Sequence, residues 1–171
     1  MNRQLVLIII VIMGIFAAIT AFAQRRPYDQ VMKEIDATSA SLKKNLDGTG
    51  AQGVDEIILN ERGGLIRLRQ DRQGKPPSEE QIQTSAAAAV ENATKLQGLL
   101  KEIQQFWASV DTNDAVDLAK GGQDAAATVV DKVKAKDFDA AQVAFGTIRE
   151  SCRDCHFAHR ETTAKGFIIK P

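Results

Sequence analysis

The stretch Ser151-Cys152-Arg153-Asp154-Cys155-His156-Phe157-Ala158-His159-Arg160 decides how the rest of this 171-residue chain is read. Two cysteines separated by two residues and followed at once by histidine have the spacing for covalent haem attachment, in which both thiols join the porphyrin and the histidine binds iron. On a helix, positions i, i+3 and i+4 share a face, so Cys152, Cys155 and His156 reach one flat macrocycle together. Haem then supplies the chemistry, and the protein sets its ligands, burial and access. A bare CxxC has competing readings: a thioredoxin-like redox pair, a structural disulfide, or half of a zinc site. The first needs βαβ patterning, which the chain lacks. The last needs a second ligand pair, yet His159 is the only other histidine and there is no third cysteine.

Upstream, the pattern continues in phase. Asp137 is a helix cap, and Phe138, Ala141, Phe145 and Ile148 form an apolar stripe that runs straight into Cys152, Cys155 and His156. The helix that packs the core therefore also carries the attachment site. Before it, Asp111-Thr112-Asn113-Asp114 starts a helix to about Ala135 through Ala115, Leu118, Ala125, Val129 and Val133. Gly121-Gly122 inside that helix costs about 1 kcal/mol per glycine relative to alanine, and predicts either a kink or a close helix contact.

Ser78-Glu79-Glu80-Gln81 is a capping box. It opens a helix to about Val110 whose buried line is Ile82, Ala86, Val90, Ala93, Leu96, Leu100, Ile103 and Trp107. A first helix from about Pro27 to Leu46 has proline in its first turn, Asp29 near the positive end of its dipole and Lys43 and Lys44 near the negative end. Its inward stripe is Val31, Met32, Ile35, Ser39, Leu42 and Leu46, and Asp47-Gly48-Thr49-Gly50 stops it.

Residues 47–77 form the irregular part. Apolar residues between Val54 and Leu68 are interrupted by Gly63-Gly64 and ended by Gly74-Lys75-Pro76-Pro77, which reads as a long crossover containing a short helix or two. Arg62, Arg67, Arg69 and Arg72 in it are either a solvated face or a surface for docking or for haem propionates. Thr162 to Pro171 reads as a frayed tail, with Phe167, Ile168 and Ile169 available to fold back on the bundle.

Residues 1–23 have the features of an export signal: Arg3, an apolar run from Leu5 to Ile19, and the small-x-small site Ala21-Phe22-Ala23 before Gln24. The alternative is an uncleaved anchor, since Leu5 to Ala23 approaches the roughly 20 residues that span a bilayer. Cleavage leaves residues 24–171 as one domain, with 21 Lys and Arg against 22 Asp and Glu. Near-neutral charge argues against a nucleic-acid binder. Few aromatics, many alanines, four prolines and no period-two run long enough for a sheet give an all-α class. Four amphipathic helices with haem near the end of the last assemble as an antiparallel four-helix bundle.

In this the chain resembles the class II c-type cytochromes, the cytochrome c-prime group and its low-spin relatives, in which CxxCH lies near the C-terminus. Met32-Lys33-Glu34-Ile35 with Leu42, Phe106-Trp107, and Cys152 to Arg160 carry the resemblance. Residues 47–77 are longer than the family pattern, so no site is carried over there. The resemblance implies one covalent haem c on Cys152, Cys155 and His156. It places Met32 at the second axial position of iron, and Arg160 beside the proximal ligand or a propionate. Met32 is also the one methionine left after the leader, though as a core filler it would only pack on the porphyrin. Arg160 is equally readable as a solvated arginine, and His159 as a surface or propionate-contacting residue.

His/Met ligation is an electron-carrier arrangement. The expectation is an exported, periplasmic one-electron carrier that meets redox partner proteins, and the resemblance adds a homodimer through the first two helices. No acid/base pair, nucleophile or phosphate loop suggests an enzyme. The alternative is a five-coordinate, cytochrome c-prime-like protein binding nitric oxide or carbon monoxide at the distal face. A third class is a haem-free helical scaffold with a Cys152–Cys155 disulfide.

Overall fold

The computed structural model describes residues 26–50, 56–59, 65–68, 76–163 and 166–170. Four helices make up the body: α1 (Tyr28–Gly48), α2 (Glu79–Ala108), α3 (Asn113–Lys134) and α4 (Phe138–His159). Two short antiparallel ribbons accompany them, β1 (Glu56–Leu59) with β2 (Leu65–Leu68), and β3 (Arg160–Thr163) with β4 (Gly166–Ile169). The residues of the leader reading, 1–23, lie outside the described part. Among the described residues no helix is long and apolar enough to cross a membrane.

Local chemistry sets the helix ends. Ser78 Oγ accepts from Gln81 N at 3.2 Å while Gln81 Oε1 accepts from Ser78 N at 2.8 Å, the reciprocal pair that the sequence announces. Asp137 Oδ1 accepts from Ala140 N at 3.3 Å and starts α4. Pro27, at the N-cap of α1, offers its carbonyl to Gln30 N and Val31 N. The buried stripes follow the helical period: Val31, Ile35, Thr38, Leu42 and Leu46 on α1, and Ala93, Leu96, Leu100, Ile103 and Trp107 among those on α2. Thr38, not Ser39, completes the stripe of α1.

Successive helices run antiparallel. α1 packs on α2, α2 on α3 and α3 on α4 along their lengths, whereas α1 and α4 scarcely touch. Arg26 joins Glu102 Oε1 at 2.6 Å and also pairs with Glu34, which accepts from Lys95 at 2.7 Å, so the start of α1 is pinned to α2. At the other end a Cβ at Gly48 would run into Ser85 Oγ, and one at Gly50 would meet Pro77 Cγ at 3.2 Å. Gly122 sits just as closely on α2, where an added Cβ would lie 3.2 Å from Leu100 Cδ1. Of the two outcomes expected of Gly121-Gly122, the close contact is the one found, inside an unbroken α3.

Two expectations need correction. The connector between α1 and α2 carries a strand pair, with Ile58 opposite Ile66, in place of short helices. Gly63-Gly64, read as a helix break, falls between two runs rich in isoleucine and leucine, which is a hairpin signal. The connector's two ends lie together, with Gly50 against Pro77. Arg67 lies on β2, and Arg62, Arg69 and Arg72 fall outside the described residues. The tail is likewise an ordered ribbon, tied to the bundle by Lys170 N–H donating to His159 O at 2.9 Å.

Candidate functional site

Where α1 and α4 part, the bundle opens. A small apolar pocket of about 30 Å³ is lined from every helix: Tyr28, Met32 and Ile35 of α1, Leu100 and Ile103 of α2, Leu118 and Ala119 of α3, and Ser151, Cys152, Cys155 and His156 of α4. It adjoins an open cleft of about 480 Å³ bordered by Asp29, Lys33, Asp36, Trp107, His159, Arg160 and Ile169, and again by Tyr28, Met32, Cys155 and His156. The cleft is within the range of ligand sites, about 300 to 1,000 Å³, and the apolar pocket deepens it. Cys152, Cys155 and His156 thus share a face, and Met32, far away in sequence, borders the same space.

The seam's apolar side chains are left half covered. Met32, Tyr28, Cys152 and Cys155 pack against the core but remain partly accessible, and so does Leu118. In a closed four-helix bundle such positions are filled by the neighbouring helix. Here the neighbour is held away. At its floor, Tyr28 lies 4.5 Å from the Phe106 ring and 6.0 Å from Trp107, and Trp107 lies 4.9 Å from His159. The Trp107 indole N–H is buried without a hydrogen-bond partner in the structure; the Tyr28 hydroxyl is near enough to feel it but not placed to bond it.

Electrostatics separate the readings of the two thiols. Burial, with smaller contributions from Cys152 and Asp114, pushes the Cys155 thiol up to about 11, and burial alone raises Cys152. A thioredoxin-like pair works in the opposite sense, through a thiol whose pKa is depressed. The two cysteines are also not joined to each other. Burial, then the positive charge of Arg160, lowers the pKa of His156 against a weaker opposing pull from Asp36. Its ring is therefore favoured as neutral imidazole, the form that ligates metal. Burial also moves Tyr28 up to about 12.

Among the described residues no three His, Cys, Asp or Glu side chains gather as ligands for a bare metal ion. Haem iron asks less of the protein, since the macrocycle supplies four donors and two axial ligands complete the set. The residues present fit that group. Cys152 and Cys155 would tether it, His156 and Met32 would hold its iron, and the cleft with the apolar pocket beside it would receive the ring.

Arg160, exposed at the C-cap of α4, borders the cleft and acts on His156 through its charge. His159 is not the surface residue expected from the sequence: it is 8% exposed and bonded on both ring nitrogens. The reason lies in what packs on it from elsewhere in the fold: Asp114 of α3, Lys170 of the tail and the Trp107 ring of α2. Sequence reasoning missed Tyr28, although its position four residues before Met32 puts both on one helical face. Ile169, which the sequence offers for folding back on the bundle, reaches the cleft by way of the tail ribbon. Comparison with protein-family models, curated proteins and solved structures finds no match to this chain.

Proposed function

We propose that this chain is an exported mono-haem c-type cytochrome that carries one electron between redox proteins, with iron held by His156 and Met32. The observation that supports it is that Met32 from α1 and Cys152, Cys155 and His156 from α4 line one apolar pocket at the open end of the α1/α4 seam. Bound there, haem would supply a one-electron ferric/ferrous couple.

The chain's own residues divide the remaining work. Cys152 and Cys155 fix the group to a rigid helix. His156 presents a neutral ring, and Arg160 beside it discourages protonation. Met32 would offer the iron a soft thioether from the helix across the seam, a donor that raises the potential. Ile35, Leu100, Ile103 and Leu118 keep water from the ring's inner side. Phe157, the chain neighbour of His156, is 91% exposed and gives a docking partner an aromatic anchor.

The experiment is an optical spectrum of the ferrous protein from a host able to attach haem, with the intact mass. A mass raised by one haem and a sharp low-spin α band unchanged by carbon monoxide support the carrier. A broad high-spin spectrum that shifts with carbon monoxide turns the reading to a five-coordinate gas binder. A colourless protein sinks both.

A further inference from the structure

His159 is a second histidine at the cleft, and electron carriage leaves it without a task. It closes α4, with its ring 4.9 Å from that of Trp107. Nε2 lies 3.0 Å from Asp114 Oδ2 in the first turn of α3, and Nδ1 lies 3.1 Å from the main-chain oxygen of Lys170, just beyond β4. Both partners are acceptors, so each bond needs a proton on the ring nitrogen that makes it, and the two together need a proton on both. The carbonyl of His159 also accepts from Lys170 N–H at 2.9 Å. One residue thus joins the ends of α2, α3 and α4 to the last residues of the tail.

What this junction holds is the terminal ribbon. Each of its strands has four residues, and an isolated two-stranded ribbon is marginal in water. Its position therefore depends on what fastens its second strand. Ile169, paired across the ribbon with Arg160, borders the cleft beside Trp107 and His156. If the fastening fails, that wall leaves.

We propose that His159 is a positioning residue: clamped between Asp114 and Lys170, it fixes the terminal ribbon as a wall of the cleft beside His156 and so limits the water that reaches the iron ligand. The effect on the iron rests on the haem reading, whereas the clamp itself does not. Three full-length proteins test it, each matured in a haem-attaching host: the parent, His159→Phe and Asp114→Ala. Phenylalanine keeps a ring against Trp107 and loses both side-chain bonds. Asp114→Ala removes one bond from an exposed position, where folding is not at risk.

Amide hydrogen exchange across residues 166–170 is expected to quicken about tenfold or more in His159→Phe and less in Asp114→Ala, with Leu96 to Trp107 of α2 unchanged. The absorption spectrum and midpoint potential of the haem shift in the same order. Tail exchange equal to the parent's in both variants, or exchange quickened throughout the chain, overturns the clamp. A loosened tail with the parent's spectrum and potential overturns its role at the cleft. A colourless parent sinks the haem reading instead, and the exchange data still decide the clamp.

Discussion

Gln142 Nε2 donates to Asp47 Oδ1 at 3.2 Å, tying the last turn of α1 to the first turns of α4. The seam between these helices is closed at that end and open at the other, where Met32 and His156 border one cavity. A bundle built this way lacks part of its fourth helix contact and leaves apolar surface to be covered. Loading with haem should supply that cover. The doubly substituted Cys152→Ser, Cys155→Ser chain is expected to melt lower than the loaded protein and to light up an apolar dye at the seam. Each 1 kcal/mol lost lowers the midpoint by roughly 2–4 °C in a chain of this size. Equal melting curves and no dye signal would show that nothing is missing from the seam.

Met32 is half covered, so its removal costs little folding energy and tests ligation cleanly. Met32→Ala should lose about 1–2 kcal/mol in urea unfolding, below the usual range for a fully buried methionine. The spectrum should change far more. Low-spin bands give way to a broad high-spin spectrum that now responds to carbon monoxide. A variant with the parent's spectrum would leave Met32 as packing and return the iron to a different sixth ligand or to none.

The thiols give an alkaline prediction. Cys155 ionises near 11 in the fold against an ordinary 9.0, so it stabilises the haem-free chain fully below 9 and that contribution is lost as pH rises through 11. Cys152 acts in the same sense. Haem attachment converts both to thioethers and removes this limb, leaving Tyr28, which moves from 10.0 to about 12. Thermal midpoints from pH 8 to 11 should therefore fall more steeply for the haem-free chain than for the loaded one. At neutral pH, Cys155 should be alkylated about a hundredfold more slowly than an ordinary thiol, in proportion to its thiolate fraction. Rapid alkylation at pH 7 would restore the redox-thiol reading.

The helices and the common face of Cys152, Cys155 and His156 were legible because their signals are local. Ser78 to Gln81 and Asp137 mark helix starts through side chains three residues from their partners, and Cys152, Cys155 and His156 share a face by helix geometry alone. Both ribbons were missed because each has four-residue strands, too short to show a period, and because Gly63-Gly64 reads equally as a helix stop. His159 was misplaced for another reason. Its burial depends on Asp114 and Lys170, contacts that sequence spacing on α4 does not reveal.

Gly121 and Gly122, adjacent in α3, should answer differently to alanine. A Cβ at Gly121 meets only Ser151 Oγ at 3.6 Å, an ordinary contact, so Gly121→Ala should gain up to about 1 kcal/mol of helix propensity. At Gly122 the new Cβ lies 3.2 Å from Leu100 Cδ1, with Ser151 Cβ at 3.7 Å on the other side. Leu100 also lines the apolar pocket, so pushing it moves the wall of the proposed haem site. Gly122→Ala should be neutral or destabilising in urea and should shift the haem spectrum, whereas Gly121→Ala leaves that spectrum alone. Equal gains from both would mean that α2 and α3 are not as closely seated as Leu100 implies.

The last prediction concerns acid. Glu34 accepts from Lys95 at 2.7 Å and pairs with Arg26, which also holds Glu102; Lys95 first and Arg26 second keep the Glu34 carboxyl below its usual range. A depressed carboxylate stabilises the fold above its unfolded pKa, and the contribution disappears as pH falls through the folded value. The parent should therefore lose thermal stability below about pH 4.5, and Glu34→Gln should show a shallower fall over the same range. These groups are open to solvent, so salt should shrink the difference between the two proteins. Because the network fixes the start of α1, the turn that carries Tyr28 and leads to Met32, the haem spectrum should change in the acid limb of the parent at the pH where Glu34 is protonated. A spectrum that stays constant while the melting temperature falls would show that this network holds the helices together without holding the axial ligand.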